Sequence, residues 1–335
     1  MRKQVDSGKW TMDIRTVAGA IGVAAVLVGA ASALAAPPAY VGAGSYQLPS
    51  GSSVFDAAAD GRLICVTESG VIVRQSAING GAYTPLGSLP AGTVPGFGPG
   101  FLHISPNGAQ LAVGDNGTAN HLFVVPTASL STGGPTTPQT INVPNFDGAW
   151  TDNTTMYING SPDFSTPPSL FRVNITTGVS TPAVSNIGNG SGGVAARSGR
   201  VFTAIGYDAA GLLDGQVRSF DLATLGGAVS PVAFSTGLLA TQASTGNSLA
   251  FDTGGNLIEA GFGGVSVIDL STSHIYNLPG LSPTGFYAAS YNAFTSEILV
   301  RDFGSATVLR FGVPAPAGAA LLGFAGIFAA RRRRA

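Results

Sequence analysis

An all-β fold, a β-propeller of six blades, is what the sequence predicts. Three observations carry that expectation: short apolar runs recur with Gly, Asn or Asp at their ends, helical periodicity is nearly absent between Pro37 and Gly312, and a turn followed by a β-rich run returns six times. The unit reads Asp60-Gly61-Arg62-Leu63-Ile64-Cys65-Val66 at its first appearance and Ser198-Gly199-Arg200-Val201-Phe202-Thr203 at its fourth. Leu63, Leu111, Met156, Val201, Leu257 and Ile298 serve as anchors, and their near-regular spacing is the interval of a four-stranded blade with generous loops. The longest interval, from Val201 to Leu257, leaves room for extra strands, so seven blades is the alternative count. A β-sandwich or an irregular solenoid would share the composition without the regular interval.

Each anchor strand is followed by a second run, at 70–74, 121–125, 170–174, 217–221, 265–269 and 308–311, and preceded by a short apolar or small-residue run such as Phe101-Leu102-His103-Ile104. A fourth strand recurs as Thr140-Ile141-Asn142-Val143-Pro144 and Ile275-Tyr276-Asn277-Leu278-Pro279, with looser versions near Tyr83 and Val232. After Phe311 the sixth unit has none, and the match Ser45-Tyr46-Gln47-Leu48-Pro49 stands near the other end of the chain. An N-terminal strand completing the last blade closes the ring and removes two open sheet edges.

The ends differ from the middle. Met1-Arg2-Lys3, an unbroken apolar run from Val17 to Ala31, and the small residues Ala33 and Ala35 before Pro37-Pro38 predict a signal helix over 1–35, cut after Ala35 by signal peptidase. At the other end, 313–335 reads Val313-Pro314-Ala315-Pro316, then small and apolar residues, then Arg331, Arg332, Arg333 and Arg334. The run from Val313 to Ala330 barely suffices to cross a hydrocarbon core of about 30 Å as a transmembrane helix, and the arginines beyond it favour the cytoplasmic side. The exported domain is then 36–312.

This tail resembles that of the PEP-CTERM family of exported proteins, in which Pro-Glu-Pro, a short transmembrane helix and an arginine cluster follow one another. Here Ala315 replaces the Glu, and the resemblance covers only 313–335. It implies sorting by an exosortase, a membrane transpeptidase-like enzyme of Gram-negative bacteria that make extracellular polysaccharide. The expected course is passage through the inner membrane, transient anchoring by the C-terminal helix, and arrival at the cell surface or outside the cell. The resemblance is silent on the work of the domain between the two ends.

Residues 36–312 hold 8 arginines, no lysine and 15 Asp and Glu, a net charge of −7 hidden by the basic ends in the overall −1. Such a surface is a poor match for nucleic acid or another polyanion. Cys65 is the only cysteine and sits in the apolar run Leu63-Ile64-Cys65-Val66, as a core thiol does. Catalytic signatures are scarce: no G-x-S-x-G, no His-Glu-x-x-His, no C-x-x-C and no phosphate-binding glycine loop is present. His103, His121 and His274 are scattered, and Asp115-Asn116-Gly117-Thr118 reads as a β-turn lacking the alternating acids of a calcium loop. No metal or cofactor is expected.

Innermost propeller strands line a central channel, which places Asp56, His103, Asp147, Trp150, Arg197, Asp252 and Tyr291 there as candidate ligand-binding residues. Hydrogen-bonded packing of the channel wall is the competing reading. Two functions fit: a non-enzymatic binding or structural propeller holding a polysaccharide or a surface protein, or a hydrolase or lyase acting on a sugar or lactone, the latter on fold analogy alone. Carboxylates converging on a His would favour the enzyme, and exposed aromatics on the loops would favour the binder.

Overall fold

All six anchors lie on the second strand of a four-stranded sheet or its five-stranded variant, and all six are fully buried. The computed structural model describes residues 40–313, apart from 79, 92–97, 118, 131–132, 164, 189, 207–215 and 243–245. Six antiparallel blades follow in chain order. From the inside outward, blade 1 is Ser52–Ala57, Leu63–Thr67, Val71–Ala77 and Gly80–Ser88; blade 2 is Phe101–Ile104, Gln110–Gly114, His121–Pro126 and Gln139–Asn142. Blade 3 is Asp147–Trp150, Thr155–Gly160, Ser169–Asn174 and Val179–Ser185; blade 4 is Val194–Arg197, Arg200–Ala204, Gln216–Asp221 and Leu238–Gln242. Blade 5 is Ser248–Phe251, Leu257–Gly261, Gly264–Asp269 and His274–Asn277. Blade 6 takes Tyr287–Asn292, Glu297–Asp302 and Thr307–Gly312 from the end of the propeller and Val41–Gln47 from its start.

The core is a set of seams. Each second strand is covered on both faces by neighbouring blades, which is why it reads as consecutive apolar residues rather than an alternation, with the buried Glu259 interrupting the run in blade 5. Six apolar clusters result, each bridging two consecutive blades, from Val54, Leu102 and Phe123 between blades 1 and 2 to Tyr46, Phe55 and Leu299 between blades 6 and 1.

The N-terminal strand closes the ring as expected. Ser45 pairs with Leu309 and Tyr46 with Val308 in antiparallel register, and the Leu48 N–H donates to the Ala306 carbonyl. Residues two apart share a face of a strand, so the Tyr-x-Leu motif sends both Tyr46 and Leu48 into the seam beside blade 1. Tyr46 is 3% exposed, its hydroxyl donates to Ile78 O of blade 1 at 3.0 Å, and the Arg310 guanidinium, paired with Glu297 at 2.6 Å, lies over its ring.

The looser fourth strand expected near Val232 is displaced. Val232–Ala233 pairs in parallel with Val179–Ser185 and becomes a fifth strand of blade 3, while the outer strand of blade 4 is Leu238–Gln242. The long interval between Val201 and Leu257 thus holds this strand and a short helix, Leu222–Gly227, whose first N–H groups are capped by Asp221. No seventh blade forms among the described residues. The signal segment 1–35, with Ala33 and Ala35, and the tail beyond Val313 lie outside the described residues. Among those described, no helix is long and apolar enough to cross a membrane.

Candidate functional site

Inner strands bring the polar residues to the axis, and hydrogen bonds link them from blade to blade. Asp56 of blade 1 accepts from the Ser290 hydroxyl of blade 6 at 2.9 Å, from the Ile104 N–H of blade 2 at 3.0 Å, and from its neighbour Ala57 N–H. His103 of blade 2 meets Asp147 of blade 3 through Nε2 at 3.1 Å, with Asp56 4.0 Å from its Nδ1. The other oxygen of Asp147 accepts from the Val194 N–H of blade 4 at 2.7 Å. Trp150 Nε1 donates to the His103 carbonyl at 3.2 Å.

The far side of the ring is joined differently. Arg197 of blade 4 donates to the carbonyls of Asp252 and Thr253 of blade 5 and lies over the Phe251 ring. The Asp252 carboxylate is turned onto its own turn, accepting from the N–H and side-chain amide of Asn256 at 2.8 and 2.7 Å. Tyr291 of blade 6 shares a hydrogen bond with the Thr253 hydroxyl at 3.0 Å. The channel residues therefore form two groups. Asp56, His103, Asp147 and Trp150 are connected on one side, and Arg197, Asp252 and Tyr291 meet through Thr253 and main-chain carbonyls on the other.

Electrostatics follow the geometry at His103. Burial works against its protonation, but the Asp147 hydrogen bond and the charges of Asp147 and Asp56 outweigh it, so its pKa stands above the ordinary histidine value. Two cavities flank this belt, and His103 touches both. The upper one, on the face where the inner strands begin, is about 160 Å³ and is walled by Phe55, Phe101, Phe286 and Phe303 with Asp147, Asn247 and Arg301 among them. The lower one, about 280 Å³, lies where the inner strands end and is lined by Asp56, Trp150, Phe251 and Tyr291. Arg197 and Asp252 line neither of these two cavities.

Sequence reasoning missed the upper wall. Arg301 had left a signal, an arginine continuing the apolar run Ile298-Leu299-Val300, whereas Asn247 sits in a loop with no pattern of its own. Beside the cavity, Phe262 and Phe303 are 53% and 41% exposed; Phe262 bridges to Phe286, whose ring lies 4.9 Å from that of Phe303. The remaining histidines are peripheral: His121 stands 3.6 Å from Asp115, and His274 packs on Tyr276. Asp115 accepts from Gly117 and His121 N–H groups and from Asn145, the hydrogen bonding of a turn. No group of three or more metal-ligating side chains gathers among the described residues.

Solved structures share this architecture. Hydrazine synthase of Kuenenia stuttgartiensis aligns with a TM-score of 0.53 and 12% identity over 79% of this chain and 83% of its own. A structural-genomics protein of unknown function from Bacteroides thetaiotaomicron VPI-5482 aligns with a TM-score of 0.52 and 10% identity over 83% of this chain and 72% of its own. At such identities the likeness is one of fold. No protein-family model and no curated protein matches the sequence.

Proposed function

We propose that the chain is an exported, non-enzymatic propeller that binds a carbohydrate or a protein partner at the cell surface or in the extracellular matrix, with exopolysaccharide the leading candidate. The observation that carries this is the pair of aromatic rings Phe286 and Phe303, 4.9 Å apart on the wall of the upper cavity, with Phe303 open to solvent and the exposed Phe262 bridged to Phe286 through the main chain. Aromatic faces stack on the apolar faces of sugar rings and bury large area at small entropic cost. The belt below works as stitching, since main-chain N–H groups of the next blade occupy both carboxylates.

One observation favours the alternative, a hydrolase or lyase acting on a sugar or lactone: Asp56 and Asp147 converge on His103 at the wall of the cavities. Against it, every oxygen of the two carboxylates is already engaged by the fold: Asp56 accepts three hydrogen bonds, and Asp147 is held by His103 on one oxygen and by the Val194 N–H on the other. A glycan array probed with the protein, followed by product analysis of any bound glycan, separates the readings. Retention without turnover is expected, and cleavage would favour the enzyme.

Export and sorting belong to the same proposal and rest on the two ends of the chain. Signal peptidase removes 1–35, and an exosortase-type enzyme acts near Val313-Pro314-Ala315-Pro316 while Arg331 to Arg334 hold the tail across the inner membrane. Mass spectrometry of the surface pool tests this. Peptides beyond Leu321 should be missing, and recovering them intact, with no change when the four arginines become alanine, would make the tail an ordinary anchor.

A further inference from the structure

Arg301 is a charge the seam does not balance. It stands on the second strand of blade 6, facing blade 1, and is 6% exposed. Nη2 donates to the Ser52 carbonyl at 2.7 Å, and the guanidinium lies over the Phe303 ring, whereas Nε and Nη1 are without a hydrogen-bond partner among the described residues. Glu68 and Asp302 act on it only through space, and burial lowers its pKa. A guanidinium taken out of water is costly unless something carrying negative charge meets its fork of N–H groups.

The same cavity holds a second unsatisfied group of opposite character. Asn247 is oriented by its amide nitrogen, which donates to the Ser191 carbonyl at 2.9 Å and to the Ser191 hydroxyl at 3.2 Å. Its Oδ1 is buried and accepts nothing among the described residues. Both residues line the upper cavity together with the Phe286 and Phe303 rings. Asp147 lines it too, with its charge engaged by His103 and by the Val194 N–H.

Buried guanidinium N–H donors, a buried acceptor and an aromatic wall ask for three things in one molecule: a carboxylate, a hydroxyl and an apolar ring face. We infer that the upper cavity takes a sugar acid, a uronate residue of an acidic glycan, with its carboxylate on Arg301, a hydroxyl donating to Asn247 Oδ1 and its ring against the aromatic wall of Phe286 and Phe303. This rests on the binding function proposed above and narrows it to a substrate class. The net charge of −7 works against a polyanion as a whole, so the recognition inferred is of one uronate carboxylate by one desolvated cation rather than by the surface field.

The test is calorimetric titration of the full chain in mild detergent with methyl glucuronide and with methyl glucoside. The acid should bind about tenfold or more tightly than the neutral sugar, the worth of one charge-assisted hydrogen bond. Arg301→Met should erase that preference. Because Arg301 also packs in a seam, Asn247→Asp serves as an independent variant: it keeps the side-chain shape, adds a negative charge beside the carboxylate, and should cut acid binding more than neutral binding. Phe303→Ala, at a partly exposed position, should weaken both sugars. Equal binding of acid and neutral sugar by the unaltered protein would overturn this inference and leave the binding function standing. An acid preference that survives both Arg301→Met and Asn247→Asp would overturn it as well. If neither sugar binds, this inference falls as well, and the glycan array decides the binding function separately.

Discussion

Removing residues 40–49 should bring the propeller close to its unfolding limit. The deletion strips the outer strand from blade 6 and takes Tyr40, Tyr46 and Leu48, all buried, out of the seams. Full burial of a large apolar side chain contributes about 1.5–3 kcal/mol, so three such residues amount to roughly 5–9 kcal/mol before the lost ladder with Thr307–Gly312 is counted. That is comparable with the whole stability of an ordinary domain, about 5–15 kcal/mol. Tyr46→Ala alone should cost about 3–5 kcal/mol, the range for truncating a buried aromatic ring, and so lower the melting temperature by roughly 6–20 °C. Thermal unfolding followed by circular dichroism reads both variants. A synthetic peptide spanning 40–49 should restore part of the loss by re-pairing with the open edge. An unchanged melting temperature for the deletion would refute the closure argument.

Two further expectations follow from buried groups. His103 has a folded-state pKa above its unfolded value, so the stability it contributes is fully present below about pH 6.5 and is lost as pH rises through the raised value. Urea midpoints should therefore fall as pH is raised from mildly acid to mildly alkaline in the unaltered protein and fall less in His103→Gln; parallel curves would mean that the Asp56–His103–Asp147 belt does not hold the proton. The Cys65 thiol is fully buried and pushed up to about 12, chiefly by desolvation, so it should resist maleimide in mildly alkaline buffer in the folded protein and label completely in denaturant. Fast labelling of the folded state would contradict the seam packing around Leu63 and Val73.

What could be read from the sequence follows from how many faces of a strand are buried. Second strands such as Leu63–Thr67 and Gln110–Gly114 are covered on both sides, which leaves an unbroken apolar run at a regular interval. The closing strand was legible because Tyr46 and Leu48 repeat the alternation of Tyr276 and Leu278, one face toward the next blade. The outer strand of blade 4 was not, because Leu238 and Leu239 are both exposed and supply no alternation. Pro182 similarly masks the outer strand of blade 3. At the site, position on an inner strand places Asp56, His103 and Asp147 at the axis, but not which neighbour each one meets. Asp252, one residue past its strand, folds back onto its turn, and Arg301 and Asn247 come to line one cavity only through the fold of the ring.

If recognition takes place at the aromatic rim of the upper face and the channel belt is structural, changes at the rim alone should abolish binding. The direct measurement is binding to a glycan array by four proteins side by side: the unaltered chain, the rim variants Phe286→Ala and Phe303→Ala, and Tyr291→Phe at the lower mouth. Loss of signal in the two rim variants, with Tyr291→Phe retaining the glycans of the unaltered chain, is the predicted result. Rim variants that bind as well as the unaltered chain, or binding abolished by Tyr291→Phe alone, would contradict it.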